Sequence, residues 1–152
     1  MKLVSACLIG INCKFTGGNN LDDKVLKLLK DEAFVPICPE QLGGLPTPRD
    51  AAGSLNGSGD DVIDGKSEIY NIQGEDVTEN FIRGAYEALS IARLCGIEEA
   101  VLKQESPSCG CGKTQWMKNE NGKYVHYTVP GNGVTAALLM RNNIRVVSHE
   151  DL

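Results

Sequence analysis

Three cysteines are the residues of this sequence best suited to chemistry. Cys7, Cys38 and Cys109 each lie just beyond a short apolar segment. Their wide spacing differs from the local paired cysteines of zinc ribbons, and the sequence contains no C-x-x-C. Thiolate sulfur favours iron-sulfur clusters or zinc. If three cysteines held a four-iron cluster, one iron would stay open to an exogenous ligand.

The elements around these cysteines are predicted to bring them together. Apolar runs predict buried strands at residues 3–9, 33–38, 100–102 and 144–147. Helical periodicity predicts amphipathic helices at residues 22–31, 76–95 and 134–141. The alternation indicates an α/β fold, a Rossmann-like three-layer sandwich with a mostly parallel sheet. Ligands collect at the carboxyl ends of such strands, where all three cysteines are expected.

Proline, glycine and small polar residues predict where regular structure is interrupted. A loop without helix or strand is predicted by three prolines, Pro39, Pro46 and Pro48. The Gly, Ser, Asn and Ala of residues 51–59 predict a mobile loop. Asp64-Gly65 predicts a small β-hairpin insertion, and Asn121-Gly122 predicts a turn between two further strands.

Composition limits the classes of protein that fit. The 152 residues, 41% hydrophobic and 23% charged, predict one globular domain over residues 1–152 without a membrane-spanning helix. A net charge of −5 disfavours a broad nucleic-acid-binding surface, so transfer RNA is not the expected substrate. The apolar stretch before Cys7 is too short for an export signal, so a cytoplasmic location is expected. In that reducing compartment, clustered thiols more often serve metals or chemistry than disulfides.

Five segments in chain order carry a resemblance to a known family. They are S-A-C-L-I-G at 5–10, C-P-E-Q-L-G-G-L-P-T-P-R at 38–49, a D-G hairpin signal running into G-E-D-V-T at 64–78, S-P-S-C-G at 106–110 and G-V-T-A-A-L-L at 133–139. This ordered combination resembles the thiouracil desulfidases, a family long catalogued as a domain of unknown function. The resemblance covers nearly the whole chain.

The resemblance implies a cofactor and a reaction. It implies a 4Fe-4S cluster bound by Cys7, Cys38 and Cys109, with the fourth iron free to take sulfur from a thiolated pyrimidine. Thiouracil, 4-thiouridine and its monophosphate are the implied small-molecule substrates. In that reaction the thiocarbonyl sulfur binds iron, water attacks the ring carbon, and hydrosulfide leaves without net redox change. Iron would act as a Lewis acid.

Glu40 is the predicted catalytic base that activates the water. It lies two residues after Cys38, and Pro39 stiffens the segment that directs its side chain.

Four other residues are candidates for the same site. Ser106 and Ser108 are predicted to donate hydrogen bonds to substrate or cluster sulfur, although Ser and Pro here equally suit a simple turn. Arg49 and Lys103 are predicted to bind substrate. The planar fork of Arg49 suits a pyrimidine carbonyl or a phosphate, and a structural salt bridge is the alternative.

Several features leave alternatives open. Many relatives carry Arg-Tyr-Asp where this chain has Lys14-Phe15-Thr16, which puts a role for that carboxylate in doubt. Cys13 and Cys111 are extra thiols that could occupy the fourth iron or undergo oxidation. His126 and His149 flank no motif and receive no catalytic role. The competing functions are a structural or sensing zinc or iron-sulfur module, and a non-catalytic nucleotide-binding protein with a glycine-led final helix. The sequence leaves the oligomeric state open.

Overall fold

A computed structural model describes residues 1–152 of the protein. It contains five α-helices and eight strands, and the strands form two four-stranded sheets. The strands are β1 Lys2–Ser5, β2 Phe34–Ile37, β3 Ala52–Ser54, β4 Ile69–Asn71, β5 Glu99–Leu102, β6 Lys113–Glu120, β7 Lys123–Pro130 and β8 Arg145–Ser148. The helices are α1 Asp23–Leu29, α2 Pro39–Leu42, α3 Gly59–Ile63, α4 Thr78–Leu94 and α5 Val134–Arg141.

The first sheet is wholly parallel, in the order β2-β1-β5-β8. Side chains alternate between its faces: Leu3 lies in a large core with residues of α4 and α5, whereas Val4 lies in a smaller core with residues of α1. Helices therefore cover both faces, and the predicted α/β sandwich with a mostly parallel sheet is confirmed. The second sheet, β4-β3-β6-β7, mixes parallel and antiparallel pairs.

The predicted helices are confirmed with small shifts at their ends. Asp22 caps α1 by accepting from the backbone N–H groups of Lys24 and Val25. Asp76 accepts from the N–H of Thr78 at the start of α4. The chain leaves α5 through Asn143, whose φ of 61° lies in the left-handed region. None of the helices combines the length and apolar character that a bilayer crossing demands.

The first strand is shorter than its apolar run predicts. It ends at Ser5, and Ala6–Ile9 forms a 3-10 turn instead of continuing to Ile9. An apolar run cannot by itself distinguish a strand from a buried turn of helix. The turn places the Cys7 carbonyl to accept from the N–H of Asn20, 2.9 Å away, which closes the segment between them into a loop.

The prediction that the prolines exclude regular structure is wrong for Pro39. This residue begins the short helix α2, where proline is tolerated because the first N–H of a helix has no partner within it. Glu40 consequently stands in the first turn of a helix, with Cys38 as its N-cap.

The prediction of a mobile loop at residues 51–59 is wrong for residues 52–54 and for Gly59, whereas residues 55–58 lie outside helices and strands. Residues 52–54 form β3 and are buried, and the small residues permit close packing. A Cβ on Gly53 would lie 2.9 Å from the carbonyl oxygen of Gln115, and one on Gly59 would lie 2.3 Å from that of Gly133. The small residues let β3 and α3 approach neighbouring backbone.

The hairpin predicted at Asp64-Gly65 does not form. Residues 59–63 are the helix α3, which begins with a capping box between Ser58 and Asp61 and ends at Asp64. β4 pairs with β3 instead. The turn predicted at Asn121-Gly122 is confirmed, because β6 and β7 pair along eight residue pairs on either side of it.

Candidate active site

The three cysteines line one cavity of about 220 Å³. Cys7 follows β1, Cys38 follows β2, and Cys109 lies in the loop that leaves β5. Since these strands are neighbours and parallel, their carboxyl ends meet at one edge of the sheet. The three thiols thus line one cavity, as expected, and Glu40, Ser106 and Ser108 line it too; the roles of these residues as metal ligands and catalytic groups stay predictions.

Cys13 brings a fourth thiol into the cavity. It is buried and lines the cavity, and the Cys38 thiol lies 3.6 Å from its backbone carbonyl oxygen. The Cys13 thiol lowers the pKa of both neighbours, while their proximity raises its own pKa. The Arg49 guanidinium and the N–H of Gln41 lower the pKa of Cys38 further. Thiolates at Cys7 and Cys38 are therefore favoured by their surroundings.

Cys109 has a different environment. Burial raises the pKa of its thiol to about 12, against smaller lowering contributions from hydrogen bonds with Ser5 and Ser108. The Ser5 hydroxyl accepts the N–H of Lys103 at 2.9 Å, so its own proton remains free for the Cys109 sulfur. A buried thiol beside a free hydroxyl donor is a good candidate for a metal ligand, because binding a cation offsets the cost of ionisation.

Glu40, Ser108 and Ser106 form a hydrogen-bonded chain. The Ser106 oxygen accepts the N–H groups of Ser108 and Cys109 at 3.2 and 3.0 Å. Its proton is then available to Ser108 Oγ, 3.1 Å away. The Ser108 hydroxyl in turn donates to Glu40 Oε2 at 3.2 Å and lies 3.7 Å from Cys109 Sγ. The two serines thus connect the carboxylate to a proposed metal ligand.

Arg49 forms a salt bridge with Glu40 Oε1, the carboxylate oxygen that Ser108 does not contact. Its Nε donates to Glu40 Oε1 at 3.2 Å, and its Nη2 donates to the Cys13 carbonyl at 2.8 Å and lies 3.9 Å from Cys38 Sγ. The side chain is only 5% exposed. Further contacts with Pro46 and with the Thr47 hydroxyl occupy the remaining donors. These contacts favour the structural salt bridge, and substrate binding by Arg49 stays a prediction.

The loop that carries Cys109 is fixed from two directions. The buried Gln104 accepts the N–H groups of Glu105, Cys111 and Lys113 at its Oε1 and donates to the Cys111 carbonyl and the Ser148 hydroxyl. At the start of α5, backbone N–H groups donate hydrogen bonds to carbonyls of this loop. The donor and acceptor residues are Gly133 and Gly110, Val134 and Pro107, and Thr135 and Ser108. The glycine-led helix therefore anchors the loop instead of presenting free N–H groups to a phosphate.

Lys103 lines the cavity as predicted for a substrate-binding residue. Its ammonium donates to the Gln104 carbonyl at 2.7 Å, and its charge lowers the pKa of Cys7. The ammonium thus already contributes positive charge near the thiols. Contact between Lys103 and a substrate stays a prediction.

Several residues that line the cavity were not predicted from the sequence to belong to the site. Gln104, Gln115 and His126 line the cavity although they belong to no motif quoted above, and Ser5 was quoted only as a flanking letter. Phe15, from the segment that departs from the relatives, also lines it and is 42% exposed. The Asn121-Gly122 turn predicted the β6–β7 hairpin, but nothing in the sequence indicated that this hairpin would lie against the cavity.

The remaining cysteines lie outside the cavity. The Cys111 thiol is directed to the Val146 carbonyl, 3.7 Å away, and Cys95 is exposed at the end of α4. No group of three His, Cys, Asp or Glu side chains is arranged to hold a metal ion. A single zinc ion would need its sulfurs about 3.8 Å apart, from Zn–S distances of about 2.3 Å. Cys111 and Cys13 are the two possible fourth ligands of a zinc site. A zinc site completed by Cys111 is not supported, because this thiol lies outside the cavity, whereas Cys13 lies inside it.

These features define a class, namely a small α/β protein with a thiol-lined cavity at the carboxyl edge of a parallel sheet. A model of the 2-thiouracil desulfurase family matches residues 3–151, so the chain belongs to that family. The resemblance predicted from the five motifs is confirmed, and the protein is an enzyme of the desulfidase type.

Two similar proteins cover the chain almost completely. A Bacillus subtilis (strain 168) protein named uncharacterized protein YbbK is 41% identical over 152 residues, which are 100% of this chain and 97% of that one. The solved structure of TudS, described as a [4Fe-4S]-dependent thiouracil desulfidase, superposes with a TM-score of 0.81 at 35% identity. That match covers 99% of this chain and 91% of TudS.

Proposed function

We propose that this enzyme hydrolyses the carbon–sulfur bond of a thiolated pyrimidine with a 4Fe-4S cluster held by Cys7, Cys38 and Cys109. Water replaces sulfur, so that a thiocarbonyl becomes a carbonyl and sulfide is released without net oxidation or reduction. The observation that carries the proposal is that the three thiols share a cavity with Glu40, a carboxylate held at both oxygens. The cluster dependence named for TudS supports the same cofactor here.

The donor set fits a cluster better than a single ion. The three thiols come from three separate strand ends and surround one space, and no compact three-ligand group exists for a single ion. A four-iron cluster accepts thiolates that stand apart at its corners. Positive charge from Arg49 and Lys103 next to Cys38 and Cys7 favours the thiolate form that iron requires. When bound, the cluster supplies a Lewis-acidic iron that polarises the carbon–sulfur bond.

Glu40 is the group that takes the proton from water. Arg49 and Ser108 fix its two oxygens, so the carboxylate is oriented before substrate arrives. The Ser106–Ser108 chain holds a donor on Glu40 Oε2, which leaves the other lone pairs of the carboxylate for a water molecule. Phe15, exposed on the cavity wall, offers an aromatic face to a planar pyrimidine ring.

Sulfide release tests the proposal. Anaerobically reconstituted protein is expected to release sulfide from at least one of 2-thiouracil, 4-thiouracil, 4-thiouridine and 4-thiouridine monophosphate. Cluster-free protein of the same preparation should release none, because the thiols and Glu40 alone cannot stabilise charge on the departing sulfur. The comparison among base, nucleoside and nucleotide identifies the preferred substrate. Protein with an intact cluster that is inactive on all four compounds would contradict the proposal.

A further inference from the structure

The β6–β7 hairpin places two polar side chains on the cavity wall, Gln115 from β6 and His126 from β7. His126 Nδ1 lies 3.0 Å from Gln115 Oε1. His126 follows no motif, yet it shares the cavity with the three thiols and Glu40.

The hydrogen bonds of Gln115 fix which atoms of the pair donate. Its Nε2 lies 2.9 Å from both the Glu105 carbonyl and the Thr128 hydroxyl. Because a backbone carbonyl can only accept, this end of the amide must be the NH₂ group. Gln115 Oε1 therefore faces His126 and accepts from Nδ1, which carries the proton. A neutral His126 then has a lone pair on Nε2 and no proton there.

The same contacts tie the histidine to the loop that carries Cys109. Glu105 has a φ of 63°, in the left-handed region, and its carbonyl accepts from Gln115 Nε2. Two consecutive hydrogen bonds therefore connect this loop to the His126 ring. These two hydrogen bonds orient the exposed His126 ring relative to this loop, and orientation is a property that a recognition group needs.

We propose that His126 Nε2 accepts a hydrogen bond from a ring N–H of the pyrimidine and so selects substrates that carry this group. The inference rests on the proposed function. Uracil-type rings have N–H groups beside their carbonyl or thiocarbonyl carbons, whereas ring methylation removes the donor. His126 is exposed in the free protein, and a pyrimidine bound against it displaces water from Nε2, so an analogue that lacks the N–H leaves this atom without a partner. Gln115 is a positioning residue in this arrangement.

Binding measurements separate this role from a structural one. Dissociation constants for uracil, 1-methyluracil and 3-methyluracil are measured by anaerobic calorimetry on the cluster-loaded protein at about pH 8, where imidazole side chains are neutral. The variants are His126→Ala, His126→Gln and Gln115→Leu. Tyr127→Phe is the matched control, since Tyr127 neighbours His126 on β7, faces the opposite side of the hairpin and does not line the cavity.

The wild type is expected to bind either 1-methyluracil or 3-methyluracil about 3- to 10-fold more weakly than uracil. This factor corresponds to the loss of one neutral hydrogen bond. His126→Ala should abolish this difference and Gln115→Leu should reduce it. His126→Gln should restore part of it with an amide oxygen near the position of Nε2, and Tyr127→Phe should keep it in full.

Any one of three outcomes overturns the inference. Either His126→Ala discriminates among the three compounds as the wild type does, or the wild type shows no discrimination or no pyrimidine binding. Sulfide release by the wild type, measured separately, reports on the proposed function. An active enzyme whose His126→Ala variant keeps the wild-type discrimination therefore contradicts this inference alone.

Discussion

Glu40 combines a fixed orientation with charge compensation, since one oxygen meets the Arg49 guanidinium and the other meets the Ser108 hydroxyl. Glu40→Gln keeps the size of the side chain and removes the base. We expect its rate of sulfide release to fall by at least about 100-fold, the lower range for loss of a general base. Its iron and sulfide contents should match the wild type. Glu105→Gln, which alters another carboxylate of the cavity wall, should retain most of the activity, and equal losses in both variants would argue against Glu40 as the base.

The two serines are expected to differ in what they support. Ser106→Ala leaves the buried N–H groups of Ser108 and Cys109 without an acceptor, at a cost of about 1–3 kcal/mol each. This loosens the loop around Cys109 and should shorten the lifetime of the bound cluster under chelator challenge. Ser108→Ala removes the contact with Glu40 and should lower the turnover rate while the cluster persists. Identical cluster lifetimes in the two variants would refute this division.

The residues that sequence could predict are those within motifs. Cys7, Cys38, Cys109 and Glu40 stand beside strand ends whose positions follow from apolar runs. Ser5, Gln104 and His126 could not be assigned in this way, because each acquires its role from a contact distant along the chain. His126, for example, reaches the cavity only because β6 and β7 pair and Gln115 then bonds to the Glu105 carbonyl.

At the scale of elements, the contact between α2 and α4 determines where Glu40 stands. A Cβ on Gly84 of α4 would lie 1.9 Å from the Pro39 carbonyl oxygen, so Gly84→Ala must displace α2. We expect the free energy of unfolding to fall by about 1–3 kcal/mol, the usual cost of overpacking, and sulfide release to fall as well. The exposed substitution Ser90→Ala on the same helix should change neither quantity appreciably. Chemical denaturation measures both variants, and an unaffected Gly84→Ala would contradict the close approach.

Elements with strong periodicity were predicted correctly, whereas segments of small residues were not. α4 follows from the apolar face of its sequence. The composition around Gly53 resembles that of a linker and so predicts a mobile loop, whereas in the structure these small residues form β3 and permit close backbone approach. Such an approach depends on a partner strand that lies about 60 residues away in the sequence, at Gln115, and no local pattern reveals it.

At the scale of the whole molecule, acid should weaken the fold through His149. Burial, and secondarily the charge of Lys103, lowers the pKa of this histidine, and its Nδ1 accepts the N–H of Gln104 at 3.1 Å. The unfolded chain therefore binds a proton at a pH where the folded chain does not. This contribution to stability is present in full above the ordinary histidine pKa of about 6.5 and is lost as the pH falls through the lower folded value.

His149→Asn tests this dependence, because the amide oxygen can still accept from Gln104 and does not titrate. Between about pH 7 and 5, the free energy of unfolding of the variant is expected to fall less steeply than that of the wild type. Urea denaturation at a series of pH values gives both slopes. Parallel slopes would show that His149 makes no such contribution.

The convergence of three strand-end thiols on one cluster is tested most directly by anaerobic iron and acid-labile sulfide analysis of the wild type and its single cysteine variants. The wild type is expected to hold about four irons and four sulfides per chain. Cys7→Ser, Cys38→Ser and Cys109→Ser should each lose most of both. Cys95→Ser and Cys111→Ser, whose thiols lie outside the cavity, should keep them. Full iron and sulfide in any of the first three variants, or stoichiometric zinc without sulfide in the wild type, would contradict the account.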